Sequence, residues 1–271
     1  MLSGALGAEV LGIDLKDSSL ENWNKINNLL LEHKALFFRD QNITSEEQIN
    51  LAKRFGPLER HIYVKGRENY PEILRIIKEP DEKRQWGETW HTDVSYNPKP
   101  TKVIILRSLK IPPVGGDTMF SNMEIAYETL DEKIKNKIKD KKAVHSSLGA
   151  AAFTEAYKAM EGNGNLDEYS NAHPMVRTHP ETGKKILYVN SMYTKKILDT
   201  DAQESEDILN HIFAHQERLD FTCRFKWTEN AVAIWDNRST LHQGLTDFFP
   251  GRGLGHERVM DRIAIEGDHP L

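Results

Sequence analysis

An α+β fold built around a β-sandwich or jelly roll is the architecture that this sequence predicts. Short β-like apolar segments recur along the chain, at residues 35–38, 73–77, 103–107, 118–120, 222–227, 231–235 and 258–265. Helical patterns gather early and mid-chain instead of alternating with the strands, which separates an α+β chain from a doubly wound one. No internal repeat, linker or low-complexity stretch breaks the 271 residues, so one domain spanning 1–271 is expected.

The elements follow in order. Apolar stretches broken by Gly4, Gly7 and Gly12 open the chain. Trp23, Ile26, Leu29 and Leu30 recur at helical spacing and predict a helix from Leu20 to His33. Ala35-Leu36-Phe37-Phe38 reads as a strand, and Thr44 with Glu47 makes a capping-box pattern that starts a helix running through Phe55. A strand at 73–77 enters the charged loop 78–84. The strand at 103–107 is separated from Thr118-Met119-Phe120 by Pro112, Pro113 and a Gly115-Gly116-Asp117 turn. A single helix is expected over 122–141, with Ile125, Leu130, Ile134 and Ile138 inward. Its lysines interleave with these residues, which marks a solvated face and not a nucleic-acid patch. Residues 148–172 have weak periodicity and a Gly/Asn-rich centre, and form the candidate lid. A hairpin turn at 177–184, a helix over 203–217 and the last three strands complete the chain.

Hydrophobic residues make up 38% and charged residues 28%, which is enough for a core beneath a solvated surface. The net charge of −5 gives no global attraction to phosphate backbones or anionic lipids, so neither nucleic acid nor a membrane is an expected partner. Cys223 is the only cysteine, which excludes an intrachain disulfide and a cysteine-rich zinc site, and it is expected as a buried small hydrophobe. The first residues, MLSGALGAEVLGIDL, have no basic stretch ahead of the apolar ones, and no run approaches the ~18 apolar residues of a membrane span. A reducing, cytoplasmic location is expected.

The chemistry concentrates at His91-Thr92-Asp93. In an extended segment residues i and i+2 point the same way, so one imidazole and one carboxylate can share a metal ion. His242, just after the 231–235 strand, is the best third ligand. Two histidines and a carboxylate on one face of an ion, with open positions opposite, make the facial triad of non-haem Fe(II) oxygenases. His211 and His215 also stand four apart on a helix, but the Glu of H-E-x-x-H is missing and they read as solvated. His173, His179, His256 and His269 fall in turns or the tail and receive no role. Trp90 and Trp235 read as core aromatics flanking the site.

Further blocks add specificity: GAEVLGIDL at 7–15, ALFFRDQNIT at 35–44, AKRFGPL at 52–58, WHTDVSYNPKP at 90–100, GGDTMF at 115–120, AIWDNRSTLHQG at 233–244 and ERVMDRIAIEGDHP at 257–270. In these blocks the chain resembles the taurine dioxygenase-like family of Fe(II)- and 2-oxoglutarate-dependent oxygenases along nearly its full length. The resemblance implies a double-stranded β-helix (jelly-roll) core with flanking helices, and Fe(II) held by His91, Asp93 and His242. It also implies 2-oxoglutarate and O2 as co-substrates, succinate and CO2 as co-products, hydroxylation of a small anionic substrate, and a homo-oligomer (dimer or tetramer). By the same resemblance Arg258 of the R-x-M-x-R segment holds the distal carboxylate of 2-oxoglutarate, a role that suits a planar guanidinium. Thr118 is the second donor to that carboxylate, Arg262 reaches the co-substrate and the acidic group of the prime substrate, and Val94 offers its backbone N–H to the latter. Arg252 is the rival for the clamp; PGRGLGHE at 250–257 is read as a small insertion and Arg258 is kept.

Departures from the family pattern bear on the substrate. Taurine-specific members carry a His upstream and an Asn shortly before H-x-D, where the alignment places Gly66 and Gly87, and Asp261 stands where His is usual. Taurine is therefore not expected. His61, Tyr63, Lys65 and Arg67 either supply a different anion pocket or form an ordinary surface loop. Sulfonates, sulfate esters, aryloxy-carboxylates and small zwitterions stay open, and the Asp93 carboxylate argues against halogenation. Two other classes stand beside this reading: a zinc-type metallohydrolase at the same triad, and a non-catalytic small-molecule binding protein.

Overall fold

Apolar runs without alternation mark strands that are covered on both faces, and the segments around Ala35–Phe38, Val103–Leu106 and Ala231–Trp235 are of this kind: every residue in them is buried. The computed structural model describes residues 1–17, 19–83, 87–149 and 169–271. Its strands are β1 (Ala8–Glu9), β2 (Ala35–Phe38), β3 (Leu58–Glu59), β4 (Leu74–Lys78), β5 (Val103–Lys110), β6 (Thr118–Asn122), β7 (Lys142–Ser146), β8 (Ser170–Pro174), β9 (Val176–Thr178), β10 (Lys185–Leu187), β11 (Thr194–Ile197), β12 (Thr222–Phe225), β13 (Val232–Asp236), β14 (Thr240–Gly244) and β15 (Arg258–Ile265). Its helices are α1 (Leu20–His33), α2 (Ser45–Lys53), α3 (Met123–Glu128), α4 (Glu132–Ile138) and α5 (Ala202–Gln216). Ser19 caps α1, and Thr44 with Glu47 forms the expected capping box on α2.

A seven-stranded sheet runs β1-β2-β13-β5-β15-β3, with β4 also pairing β15. Its two faces meet different partners. Leu36, Phe38, Ile105, Ile234 and Ile263 pack on Ile26 and Leu30 of α1 and Leu51 of α2. Phe37, Ile104, Leu106, Trp235 and Met260 pack instead on Phe120 and Phe225 of a three-stranded sheet ordered β12-β6-β14. The outer side of that smaller sheet is closed by α3 and α5 through Met123, Ala126, Ile208, Ile212 and Leu241. The layers are therefore helices, large sheet, small sheet, helices.

One expectation needs correction. The helix expected over 122–141 is split: Asp131 accepts from the N–H of Lys133 and caps α4, while Thr129 Oγ1 turns back onto Ile125 O at 2.7 Å and ends α3. Of the candidate lid at 148–172, residues 150–168 lie outside the described residues, and 170–172 belong to β8. Among the described residues no helix is long and apolar enough to cross a membrane.

A third small sheet, β11-β7-β8, supports the turn that follows His91 and Asp93. His145 Nδ1 lies 2.9 Å from Ser95 Oγ, His173 Nε2 lies 3.0 Å from Asn97 O, and Asn171 donates to Tyr96 O at 2.7 Å. His173, expected to be idle, is thus a buried support, together with His145. Burial, with His173 and Lys195 adding to it, pushes the His145 imidazole down to about 3. Burial likewise takes His173 to about 4.

Both rings are neutral in the folded protein, whereas the unfolded chain takes up their protons below ~6.5. Their contribution is complete above that pH and is lost as pH falls towards 4, at a cost of roughly 2 kcal/mol from His145 alone by pH 5. Guanidinium unfolding at pH 7.5 and pH 5 should show wild type losing about that much more stability than His145→Asn, whose amide carries no titrating proton. Equal losses would assign the pH dependence to other groups.

Candidate active site

Strand alternation on β14 sends Leu241 outward to the helices and His242 inward to the large sheet. The backbone of His242 is bridged antiparallel to His91, with N···O distances of 3.0 and 2.9 Å in the two directions. Two residues on, Asp93 enters a turn whose main chain is gripped by Asn237. Asn237 Oδ1 accepts from Asp93 N at 3.1 Å, and its Nδ2 donates to Asp93 O at 3.2 Å and to Thr101 O at 2.8 Å. Thr92 Oγ1 adds a bond to Thr240 O at 2.9 Å. Val94 then adopts φ 46°, a left-handed conformation that costs a β-branched residue on the order of 1–3 kcal/mol, and the surrounding grip sustains it.

The result is one cluster of His91, Asp93 and His242 with potential ligand atoms within 4.8 Å of one another. His91 Nε2 is 3.5 Å from Asp93 Oδ1, and His242 Nε2 is 3.6 Å from Asp93 Oδ2. His91 Nδ1 stands 2.7 Å from Thr89 O; a carbonyl can only accept, so Nδ1 carries the proton and Nε2 turns its lone pair inward. A Cβ on Gly87 would lie 3.0 Å from His91 Cε1, so glycine is what lets this ring take its place.

Burial alone would raise the Asp93 pKa, but Arg262, 3.1 Å away, and the two imidazoles hold it well below the usual carboxylate range. Burial, helped by His91, pushes His242 down to about 3. Two imidazoles and an ionised carboxylate are a donor set that fits a divalent first-row metal.

The triad shares a cavity, between the two facing sheets, with Thr118, Arg258 and Arg262. On β15, Arg258, Met260 and Arg262 face the small sheet, whereas Asp261 between them faces the other way. Asp261 there takes two bonds of 2.8 Å from Arg75 and one of 3.1 Å from Arg67. Arg258 is buried, its Nε has no hydrogen-bond partner among the described residues, and burial lowers its pKa to about 10. It stays charged at neutral pH. Arg252, the rival clamp, sits exposed on a short 3₁₀ turn and does not line the cavity.

Ile76, Val94, Leu106 and Met192 give the cavity an apolar wall, tipped by Tyr193 and His61. The N–H of Val94 makes no hydrogen bond among the described residues. Burial and then Arg262 push the His61 imidazole down to about 3. The rest of the 61–67 loop does not form an anion pocket: Tyr63 donates to Ser147 Oγ at 2.7 Å, Lys65 is exposed, and Arg67 is committed to Asp261. Gly66 is likewise outside the cavity, where a Cβ would lie 2.1 Å from Pro71 O, and the upstream histidine inside it is His61. Trp235 is a core aromatic that also lines the cavity, its ring 4.8 Å from that of His242.

Sequence reasoning missed the supports. Asp236 is buried and accepts from His179 Nε2 at 2.8 Å and from Arg238 at 2.9 and 2.6 Å, which fixes the corner between β13 and β14. Asn237 lies inside the AIWDNRSTLHQG block, yet nothing in its spacing announces contact with a segment 144 residues away. His211 is exposed as expected, but His215 packs on Ala126 O at 2.9 Å.

Asn237→Ala removes the grip on Asp93 while leaving all three candidate ligands in place. It should weaken divalent-metal binding about 10- to 100-fold, read by anaerobic Co(II) or Fe(II) titration; unchanged affinity would mean the turn holds Asp93 unaided.

Known proteins agree with this geometry. The profile of the family described as "Taurine catabolism dioxygenase TauD, TfdA family" matches residues 1–263. An alkylsulfatase of Acinetobacter baylyi is 35% identical, covering 98% of this chain and 84% of its own. An (S)-phenoxypropionate/alpha-ketoglutarate-dioxygenase of Sphingobium herbicidovorans is 32% identical over 98% of this chain and 95% of its own. The crystal structure of a putative alpha-ketoglutarate-dependent taurine dioxygenase from Burkholderia xenovorans superposes with a TM-score of 0.85 at 34% identity, covering 100% of this chain and 92% of that one. With its matched sequence, its superposable fold and its His–Asp–His cluster, this chain belongs to the TauD/TfdA family of Fe(II)- and 2-oxoglutarate-dependent dioxygenases.

Proposed function

We propose that the cavity between the two sheets is the active site of a dioxygenase that hydroxylates a small organic anion with an apolar body, such as an alkyl sulfate ester, an alkyl sulfonate or an aryloxy-carboxylate. The observation that carries this reading is the meeting, in one cavity, of the His91–Asp93–His242 cluster and the buried Arg258, whose Nε has no hydrogen-bond partner among the described residues. A guanidinium in such a place calls for an anion to enter.

His91, Asp93 and His242 would hold Fe(II). Arg258, with the Thr118 hydroxyl, would hold the distal carboxylate of 2-oxoglutarate. Together the bound iron and co-substrate supply the O2-dependent oxidation that yields succinate, CO2 and hydroxylated substrate. The residues of the chain do the rest. Arg262 keeps Asp93 ionised, Thr89 fixes the His91 tautomer, and the wall of Ile76, Leu106, Val94 and Met192 excludes water and receives the apolar part of the substrate. The substrate's anionic group would lie near Arg262, His61 and the N–H of Val94. Arg262 already serves Asp93, which supports a substrate that gains much of its affinity from apolar contact and argues against compact taurine.

Two sheets enclosing the site support the jelly-roll reading, and site residues drawn from 91 to 262 support one catalytic domain. A buried, unpaired Cys223 supports a reducing cytoplasm.

Purified protein with Fe(II), ascorbate and 2-oxoglutarate should release succinate in response to a panel of alkyl sulfates, sulfonates and aryloxy-carboxylates. The response should exceed that to taurine at least tenfold and disappear in His91→Ala. Iron binding with no succinate under any substrate would overturn the oxygenase assignment of this cavity and favour metal-assisted hydrolysis.

A further inference from the structure

We propose that Trp227 is the positioning residue of the 2-oxoglutarate clamp: its indole N–H points the Thr118 hydroxyl hydrogen at the co-substrate, and its ring face supports the Arg258 guanidinium. The inference rests on the assignment of Thr118 and Arg258 to that carboxylate.

Thr118 begins β6, paired with Phe225 of β12 on one side and Gly244 of β14 on the other. Trp227 lies two residues beyond Phe225, is 3% exposed, and its Nε1 donates to Thr118 Oγ1 at 2.9 Å. An indole nitrogen can only donate, so the hydroxyl oxygen is the acceptor in this bond. One of its lone pairs is thereby fixed and its own hydrogen must point elsewhere. Among the described residues Thr118 Oγ1 has no acceptor for that hydrogen, although the side chain is 4% exposed and lines the cavity. A buried hydroxyl with a committed lone pair and an uncommitted proton is prepared to donate to an incoming anion.

The same ring addresses the second half of the clamp. The Arg258 guanidinium carbon stands 5.9 Å from the Trp227 ring centroid, within cation–π range, and the Arg258 Nε has no hydrogen-bond partner among the described residues. Arg258 Cδ also lies 3.4 Å from where a Cβ on Gly116 would be, so the side chain packs closely against the glycine turn. Trp227 thus touches both donors while the cavity lining leaves it behind them. It acts on the co-substrate through Thr118 and Arg258.

The test is equilibrium binding of 2-oxoglutarate to the Mn(II)-loaded protein without O2, by calorimetry, where no turnover occurs. Trp227→Phe keeps an aromatic face under Arg258 and removes only the N–H. It should weaken 2-oxoglutarate about three- to tenfold, with Mn(II) affinity unchanged. Thr118→Val should weaken it at least as much, and Trp227→Phe combined with Thr118→Val should be no weaker than Thr118→Val alone, because the indole acts through the hydroxyl. Trp227→His, which returns a ring N–H, should recover part of the loss.

Unchanged affinity in Trp227→Phe, or losses that multiply in the double variant, would overturn the positioning role while leaving the clamp intact. If Thr118→Val and Arg258→Gln also bind normally, the clamp assignment itself fails. Should Trp227→Phe not fold, Thr118→Ser carries the test. Its hydroxyl, still oriented by the indole, should bind within about twofold of wild type, and a loss as large as that of Thr118→Val would overturn the proposal.

Discussion

The candidate metal centre depends on a pair of backbone hydrogen bonds. His91 and His242 exchange N–H···O=C bonds across a single antiparallel bridge, and that exchange fixes the distance and facing of two imidazoles far apart in the chain. Other contacts add to it. Thr92 ties the next residue to Thr240 O, and the Asn237 side chain from the β13–β14 corner grips the main chain of Asp93, so Asp93 is positioned largely through its main chain.

Charge in the cavity is arranged in two sectors. Around the metal cluster the signs nearly cancel, since Asp93 faces Arg262, and Arg262 in turn feels Glu59, whose own carboxyl is pushed up to about 6 mainly by burial. Around Arg258 they do not cancel: the anion it feels is Asp117, which is itself paired with Arg224. One end of the cavity is therefore complete apart from a cation, and the other apart from an anion. Fe(II) held by the His–Asp–His cluster and the distal carboxylate of 2-oxoglutarate held by Arg258, as proposed, would together balance both sectors.

Most of the fold was legible where a single physical rule dominated. The two-faced burial of Ala35–Phe38 and Val103–Leu106 shows as unbroken apolar runs, and the capping box at Thr44 and Glu47 is local. The break between α3 and α4 was hidden, because Asp131 sits in a lysine-rich stretch whose apolar spacing continues across it. Strands β8 and β11 were hidden too: SNAHP and TKKI have no β pattern and are held by pairing to β7, a long-range effect. In the site, the gathering of His91, Asp93 and His242 was legible from their residue types and spacing, and the presence of Arg258 and not Arg252 in the cavity wall from the segment around it. Trp227, Asn237 and the His179–Asp236 pair were not, since each acts across more than fifty residues of sequence. The role of Asp261 was misread because a substitution between two site arginines looks like a change in the site, whereas strand alternation sends it to the other face.

That alternation has a consequence for how the chain avoids misfolding. Along β15 the sign of charge changes with parity: even positions 258 and 262 carry arginines into the cavity, and odd position 261 carries a carboxylate to Arg75 and Arg67 outside. A slip of one residue exchanges the two faces. It would put the carboxylate of Asp261 beside Asp93 and press two arginines into the layer that already holds Arg67, Arg75 and Arg107. Hydrophobic patterning discriminates weakly here, because Met260, Ile263, Ala264 and Ile265 tolerate either face. The charges supply the missing discrimination, so the strand proofreads its own alignment electrostatically before any ligand is bound.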